Sequence, residues 1–293
     1  MFNLEAALIS LLFSVLLMLV VWALHLKDED ASIVDPVWGP AIVGVGLVYG
    51  LAVGAPFRGA QLLTLLVAGA WALRLGLHLS HRHRLTGEDR RYRKMREARG
   101  DEWWWRSVYV VFLTQAVLAW VVALPLMAAI SGPVSLSAIG WAGLAVAIAG
   151  FLFEAVADGQ LAAFKRRESD LESSSRDSGG LDSPSDNKES GSGSHPSAYE
   201  RGVMDRGLWR YSRHPNYFGE SVVWWGIGAV AVSQGAYWGL LGPALITFML
   251  LKVSGVTMTE EDIADRRPAY REYVKATSAF IPRRPSTPNL SQD

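Results

Sequence analysis

The chain has 293 residues, half of them hydrophobic and 19% charged, with Lys and Arg balancing Asp and Glu to a net charge of zero. The charges are bunched between long apolar runs, which points to a membrane protein and away from a nucleic-acid partner. No cysteine is present, which excludes disulfides, thiolate metal sites and a cysteine nucleophile.

A transmembrane helix needs about 20 mostly apolar residues. Seven stretches qualify, at about 4–26, 33–54, 60–80, 107–130, 137–163, 216–234 and 236–256. The first is too long for a signal-peptide core and follows no basic region, so it reads as a retained span. The second opens on Asp35-Pro36-Val37-Trp38-Gly39. Asp35 is either a helix cap ahead of a first-turn proline or a general acid whose pKa burial raises. The third span and its exit carry Arg74, His78, His81 and Arg82 on one broad face, and an arginine at the depth of Arg74 needs a counter-charge or water.

The segment from Arg82 through Arg106 holds nine Lys and Arg residues, both ends included, and is followed closely by span four. That loop suits nucleotide phosphates or anionic headgroups, and by itself it is the signal of a cytoplasmic loop. Trp103-Trp104-Trp105 reads as an interfacial belt. The fifth span ends with Glu154, Asp158 and Lys165 within about 40° of one another on a helical wheel. Carboxylates at that depth face a cavity or an ionic partner.

Residues 166–200 are rich in serine, glycine and acidic residues and are expected to be disordered. Then comes Gly207-Leu-Trp-Arg-Tyr-Ser-Arg-His-Pro-Asn-Tyr-Phe-Gly-Glu220, polar and aromatic groups packed just ahead of the sixth span. Asn216 is expected to cap that helix, whose positive dipole end beside Arg210 and Arg213 suits a phosphate. A capped interfacial turn with snorkelling arginines is the alternative. The tail holds Glu260, Glu261, Arg266, Arg267, Tyr270 and Tyr273, an amphipathic segment able to close over a cofactor, and residues 284–293 are expected to be disordered.

The fold expected is all-α: a polytopic membrane protein of about seven transmembrane helices, N-terminus outside and C-terminus cytoplasmic. That orientation puts all three basic regions on the inner side. Residues 1–165 carry helices 1–5 with the basic loop 81–106. Residues 166–200 form the insert, and residues 201–283 the polar turn, helices 6–7 and the tail.

The Asp35 motif, Leu73-Arg74-Leu75 with His78-Leu79, Gly87-Glu88-Asp89-Arg90-Arg91-Tyr92 and the segment Gly207–Glu220 together resemble the bacterial branch of the steroid 5-alpha-reductase family, over about residues 30–282 without the insert. The resemblance implies a seven-span fold in a bacterial inner membrane that uses NADPH to reduce a carbon–carbon double bond conjugated to a ketone. The substrate would be lipophilic, steroid-like or isoprenoid. It places Asn216 and Glu220 in the family's Asn-x-x-Gly-Glu cofactor contact and Asp158 at the aspartate ending the fifth span. Lys165 stands where the family has an arginine, and Glu154 where the steroid enzymes have an asparagine. Arg74, Arg82, Tyr211, Arg213 and His214 complete the expected cofactor set, and Asp35 or His78 is the expected donor to the substrate oxygen. The steroid enzymes use a glutamate of the second span and a tyrosine of the third for that task, and span three here has no tyrosine.

Two further function classes fit part of the pattern. Isoprenylcysteine and phospholipid methyltransferases, which bind S-adenosylmethionine, share an Arg-His-Pro-x-Tyr-x-Gly turn and a Glu-Glu pair, here Arg213 to Gly219 and Glu260-Glu261. A lipid-binding scaffold or transporter would also explain intramembrane Glu154 and Arg74. A di-iron site fails, because six histidines are too few. The sequence leaves the oligomeric state open.

Overall fold

The computed structural model describes residues 2–177, 202–253, 255–256, 260, 263 and 267–286, and among them every regular element is a helix. In chain order these are α1 (Leu4–Asp28), a 3-10 turn (Ala31–Ile33) leading into α2 (Val34–Ala52), α3 (Ala60–Thr86) and α4 (Arg90–Glu97). After them come α5 (Gly100–Ser131), α6 (Ala138–Asp177), α7 (Pro215–Ser233), α8 (Tyr237–Val253) and α9 (Tyr270–Ala276). Among the described residues, five helices are long and apolar enough to cross a membrane: α1, Ala31–Ala52, α3, α5 and Ala138–Leu171. The sixth and seventh expected spans are helices too, α7 over 19 residues with Asn216 and Glu220 near its start and α8 shorter still.

The expected edges move outward where charged residues still favour a helix. Helix α3 runs to Thr86 rather than 80. Helix α6 runs to Asp177 and so includes the first dozen residues of the segment expected to be disordered. Lys165, Arg166, Arg167, Glu168 and Leu171 are all good helix formers, and they carry the helix onward. The remainder of that segment, 178–200, lies outside the described residues, as do residues 201 and 287–293.

The chain divides into two compact units: Met1–Phe151 with Ser221–Thr247, and Leu152–Glu220 with the described part of Phe248–Asp293. In the first unit, α2 packs on α1 and α3. Its sides follow the rule for helices in lipid, with small residues inward and leucines outward. On α1 the buried stripe is Ala6, Ala7, Ser10, Ser14, Met18, Val21 and His25. The opposite stripe, Leu8, Leu12, Leu16, Val20 and Leu24, is more than half exposed at every position. Ser14 Oγ donates to Ala116 O at 2.9 Å, and Trp120 Nε1 donates to Ala7 O at 2.9 Å, which ties α1 to α5. Glycine lets α2 and α3 touch backbone to backbone: a methyl on Gly76 would lie 2.9 Å from Pro36 O.

The second unit is stitched by its tail. Arg213 N donates to Ser278 O (2.8 Å), Arg283 N to Tyr211 O (2.9 Å) and Ser212 Oγ to Phe280 O (2.8 Å). Val203, Tyr270 and Tyr273 form its small buried cluster, and Tyr273 Oη donates to Trp209 O.

Candidate functional site

The second unit gathers acceptors. Glu154 and Asp158 lie four residues apart on α6, hence on one face, and are 2% and 6% exposed. Helix α7 begins at Pro215, and its first turns bring Asn216 and, four residues on, the buried Glu220. The two helices meet at Gly219, where a methyl would lie 2.7 Å from Glu154 N and 2.9 Å from Glu154 Cα. Only hydrogen fits there, so Gly219 seats the Asn-x-x-Gly-Glu turn on α6. Asn216 Nδ2 donates to Asp158 Oδ1 at 3.1 Å. Asn216 therefore does not cap α7 as expected; its side chain crosses to α6 instead. Asn216 Oδ1 is buried with no hydrogen-bond partner among the described residues. Buried carboxylates and an open amide oxygen suit a ligand rich in N–H and O–H donors, such as ribose hydroxyls, a carboxamide or an amine.

The turn ahead of α7 is locked by one carboxylate. Glu260 receives Arg213 Nε (2.7 Å) and Nη2 (3.0 Å), lies 2.8 Å from His214 Nε2, and accepts from Tyr270 Oη (3.2 Å). Arg213 Nη1 donates to the carbonyls of Thr277 and Val274. His214 stacks flat on Tyr217 with ring centroids 5.2 Å apart. Burial works against the Glu260 charge, but the bonds from His214 and Arg213 outweigh it and hold its pKa down at about 2. Burial pushes Tyr270 up, and the Glu260 charge adds to it. Arg213 and His214, expected to meet a cofactor phosphate, thus spend their donors on the tail. The other half of the expected acidic pair, Glu261, and Arg266 lie outside the described residues. Lys165 and Tyr211 are exposed.

The first unit holds Asp35, Arg74, His78 and Arg82. Asp35 does not cap α2. It accepts from Arg91 Nη2 at 2.7 Å and from Tyr92 Oη at 2.6 Å, while Asp30 caps the preceding 3-10 turn. Tyr92 is 5% exposed. Burial raises its pKa well above the ordinary value and the neighbouring Asp35 charge raises it further, so the phenol keeps its proton. Asp89 caps α4 by accepting from Arg91 N and also takes Arg91 Nε at 3.0 Å. Burial opposes the charge of Asp89, but Arg91 prevails and lowers its pKa. Arg82 Nη2 reaches Asp89 Oδ2 at 3.3 Å. Ser32, Asp35, Leu79, Arg82, His83 and Asp89 line a small polar pocket here. Arg74, His78 and Arg82 follow one another at four-residue spacing along α3, with the Arg74 guanidinium 5.9 Å from the Phe151 ring centroid and His78 half-buried.

Sequence reasoning passed over Tyr92 as a functional group. Its signal was an aromatic residue within an otherwise basic run, Arg90-Arg91-Tyr92-Arg93-Lys94, where a wholly solvated helix would have no use for it.

The model of one family, described as "Protein of unknown function (DUF1295)", matches residues 21–277. No curated protein and no solved structure matches the chain.

Proposed function

For a chain that belongs to the DUF1295 family, a family of unknown function, we propose a membrane-embedded, NADPH-dependent reductase of a conjugated carbon–carbon double bond in a lipophilic substrate. The motifs that resemble the steroid 5-alpha-reductase family lead to this reading. The observation that carries it is the meeting of Glu154, Asp158, Asn216 and Glu220 at the Gly219 contact, with Asn216 Oδ1 left open as an acceptor.

NADPH, when bound, supplies a hydride for the β-carbon of an enone. Its ribose hydroxyls and carboxamide are the donors that this acceptor set suits, with Asn216 Oδ1 and the acids of α6 and α7 as the holding groups. The exposed Arg210, in the turn ahead of α7, is a cation suited to its phosphates. In the first unit, Asp35 accepts from both Arg91 and Tyr92, and the one proton of the buried phenol is spent on that bond. Seven spans with the basic segments cytoplasmic complete the reading, in a bacterial inner membrane.

A second reading, a membrane methyltransferase using S-adenosylmethionine, draws on Glu260, which ties together the Arg213 and His214 that such enzymes share. Titrating purified protein with NADPH and with S-adenosylmethionine, following tryptophan fluorescence, separates the two. The reductase reading expects saturable quenching by NADPH and oxidation of NADPH on adding a lipophilic enone. Saturation by S-adenosylmethionine alone would select the methyltransferase, and silence toward both would leave a non-catalytic lipid-binding protein.

A further inference from the structure

Away from both clusters, α1 carries a histidine on its inward stripe. His25 is 1% exposed. Its Nδ1 lies 2.7 Å from Trp22 O, and a carbonyl can only accept, so the neutral ring carries its proton on Nδ1 and presents Nε2 as an acceptor. That Nε2 has no hydrogen-bond partner among the described residues. On α5, Trp103 is 4% exposed, and its indole N–H, a donor only, also has no hydrogen-bond partner among the described residues. The two rings are neighbours, 6.4 Å between centroids and edge-on at 81°.

The local backbone explains why these groups share one face. Nine residues separate Trp103 from Phe112, and at about 100° each a regular helix would set them on opposite sides. A π-helical segment, Val108–Leu113, lies between them. Its wider turn swings Phe112 back, and the Phe112 ring packs 5.0 Å from His25. Single π turns of this kind are common at functional sites. The result is an acceptor and a donor side by side against an apolar wall.

One chemical group satisfies both atoms. A hydroxyl donates to Nε2 and accepts from the indole N–H. A carbonyl ligand would leave Nε2 bare, an ammonium would leave the indole bare, and a metal on Nε2 would face the positive end of an N–H dipole. We infer that His25 and Trp103 hold a hydroxyl, that of a trapped water or of a membrane alcohol, at the inner end of α1.

The test uses the whole protein with nitrogen-15 in its histidines, in lipid nanodiscs. The His25 signal is assigned through its ring contacts to Phe112 and confirmed by its loss in His25→Gln. A hydrogen-bonded Nε2 resonates at lower frequency than a bare acceptor, and Trp103→Phe is expected to shift it. A hydrogen-bonded signal that persists in delipidated protein identifies water. A signal that turns bare on delipidation and returns on adding a long-chain alcohol identifies a lipid hydroxyl. A bare acceptor in nanodiscs, or a signal indifferent to Trp103→Phe, overturns the site.

Discussion

Glu260→Gln removes the one charge on which Arg213, His214 and Tyr270 converge, while leaving an acceptor in its place. The carboxylate sits at about 2 against its ordinary 4.5. At about 1.36 kcal/mol per pKa unit, that gap is worth roughly 3 kcal/mol to the folded joint. The Glu260 side chain is only 19% exposed, so screening takes little of it. A folded pKa below the unfolded one makes this contribution complete above about pH 4.5, and it is lost as pH falls toward 2. Hydrogen exchange at the amides of Arg213 and Arg283, whose bonds join the turn to the tail, reads the opening directly. At pH 7 the variant should open roughly a hundredfold more often than the wild type, since about 1.4 kcal/mol is tenfold. The gap should narrow steadily below pH 4.5 and close near pH 2. Equal protection at pH 7, or a gap that stays constant down to pH 2, would refute the claim that the Glu260 charge holds this joint.

Asn216→Ala should weaken NADPH binding by roughly tenfold, the worth of one or two lost hydrogen bonds at about 1 kcal/mol each, and lower stability by about 1–3 kcal/mol, since buried Asp158 loses its donor. Fluorescence titration beside a thermal melt checks both halves. Tyr92→Phe should destabilise the protein by about 1.5–3 kcal/mol, the worth of a hydrogen bond to a carboxylate, because it removes the phenol proton that Asp35 accepts, and a thermal melt measures it. Gly219→Ala should destabilise the protein by about 1–3 kcal/mol, because its methyl meets the Glu154 backbone, which cannot rotate away as a side chain would. A melt in detergent measures that loss.

The helices were legible because each apolar run is a local property of the chain. Both edges of α1 and the start of α7 fall within two residues of the sequence expectation. The acidic stripe of α6 was legible for the same reason, since Glu154 and Asp158 are one turn apart. What escaped was pairing at a distance. Asp35 meets Tyr92, Asp158 meets Asn216 and Arg213 meets Glu260 across 57, 58 and 47 residues, and no local period announces such partners. The misread roles follow from this. Asn216 looks like a helix cap while Asp158 is ignored, and Arg213 looks like a phosphate ligand while Glu260 is ignored. The π turn in α5 is hidden likewise, because Val108–Leu113 is an unremarked apolar run that a regular helix would accommodate equally well.

The length of α6 has a bearing on how two very different molecules could reach one place. Forty residues at about 1.5 Å each make a rod of roughly 60 Å, about twice the thickness of the hydrocarbon layer. Counted from Ala138, Asp158 comes after about 30 Å, where a helix that dips in at its first residue re-emerges among the headgroups, and Glu154 lies one turn deeper. Acceptors at that level touch two phases at once. On the reductase reading, a charged nucleotide would arrive from water without being dragged into oil, and a greasy molecule would slide along the leaflet without ever dissolving.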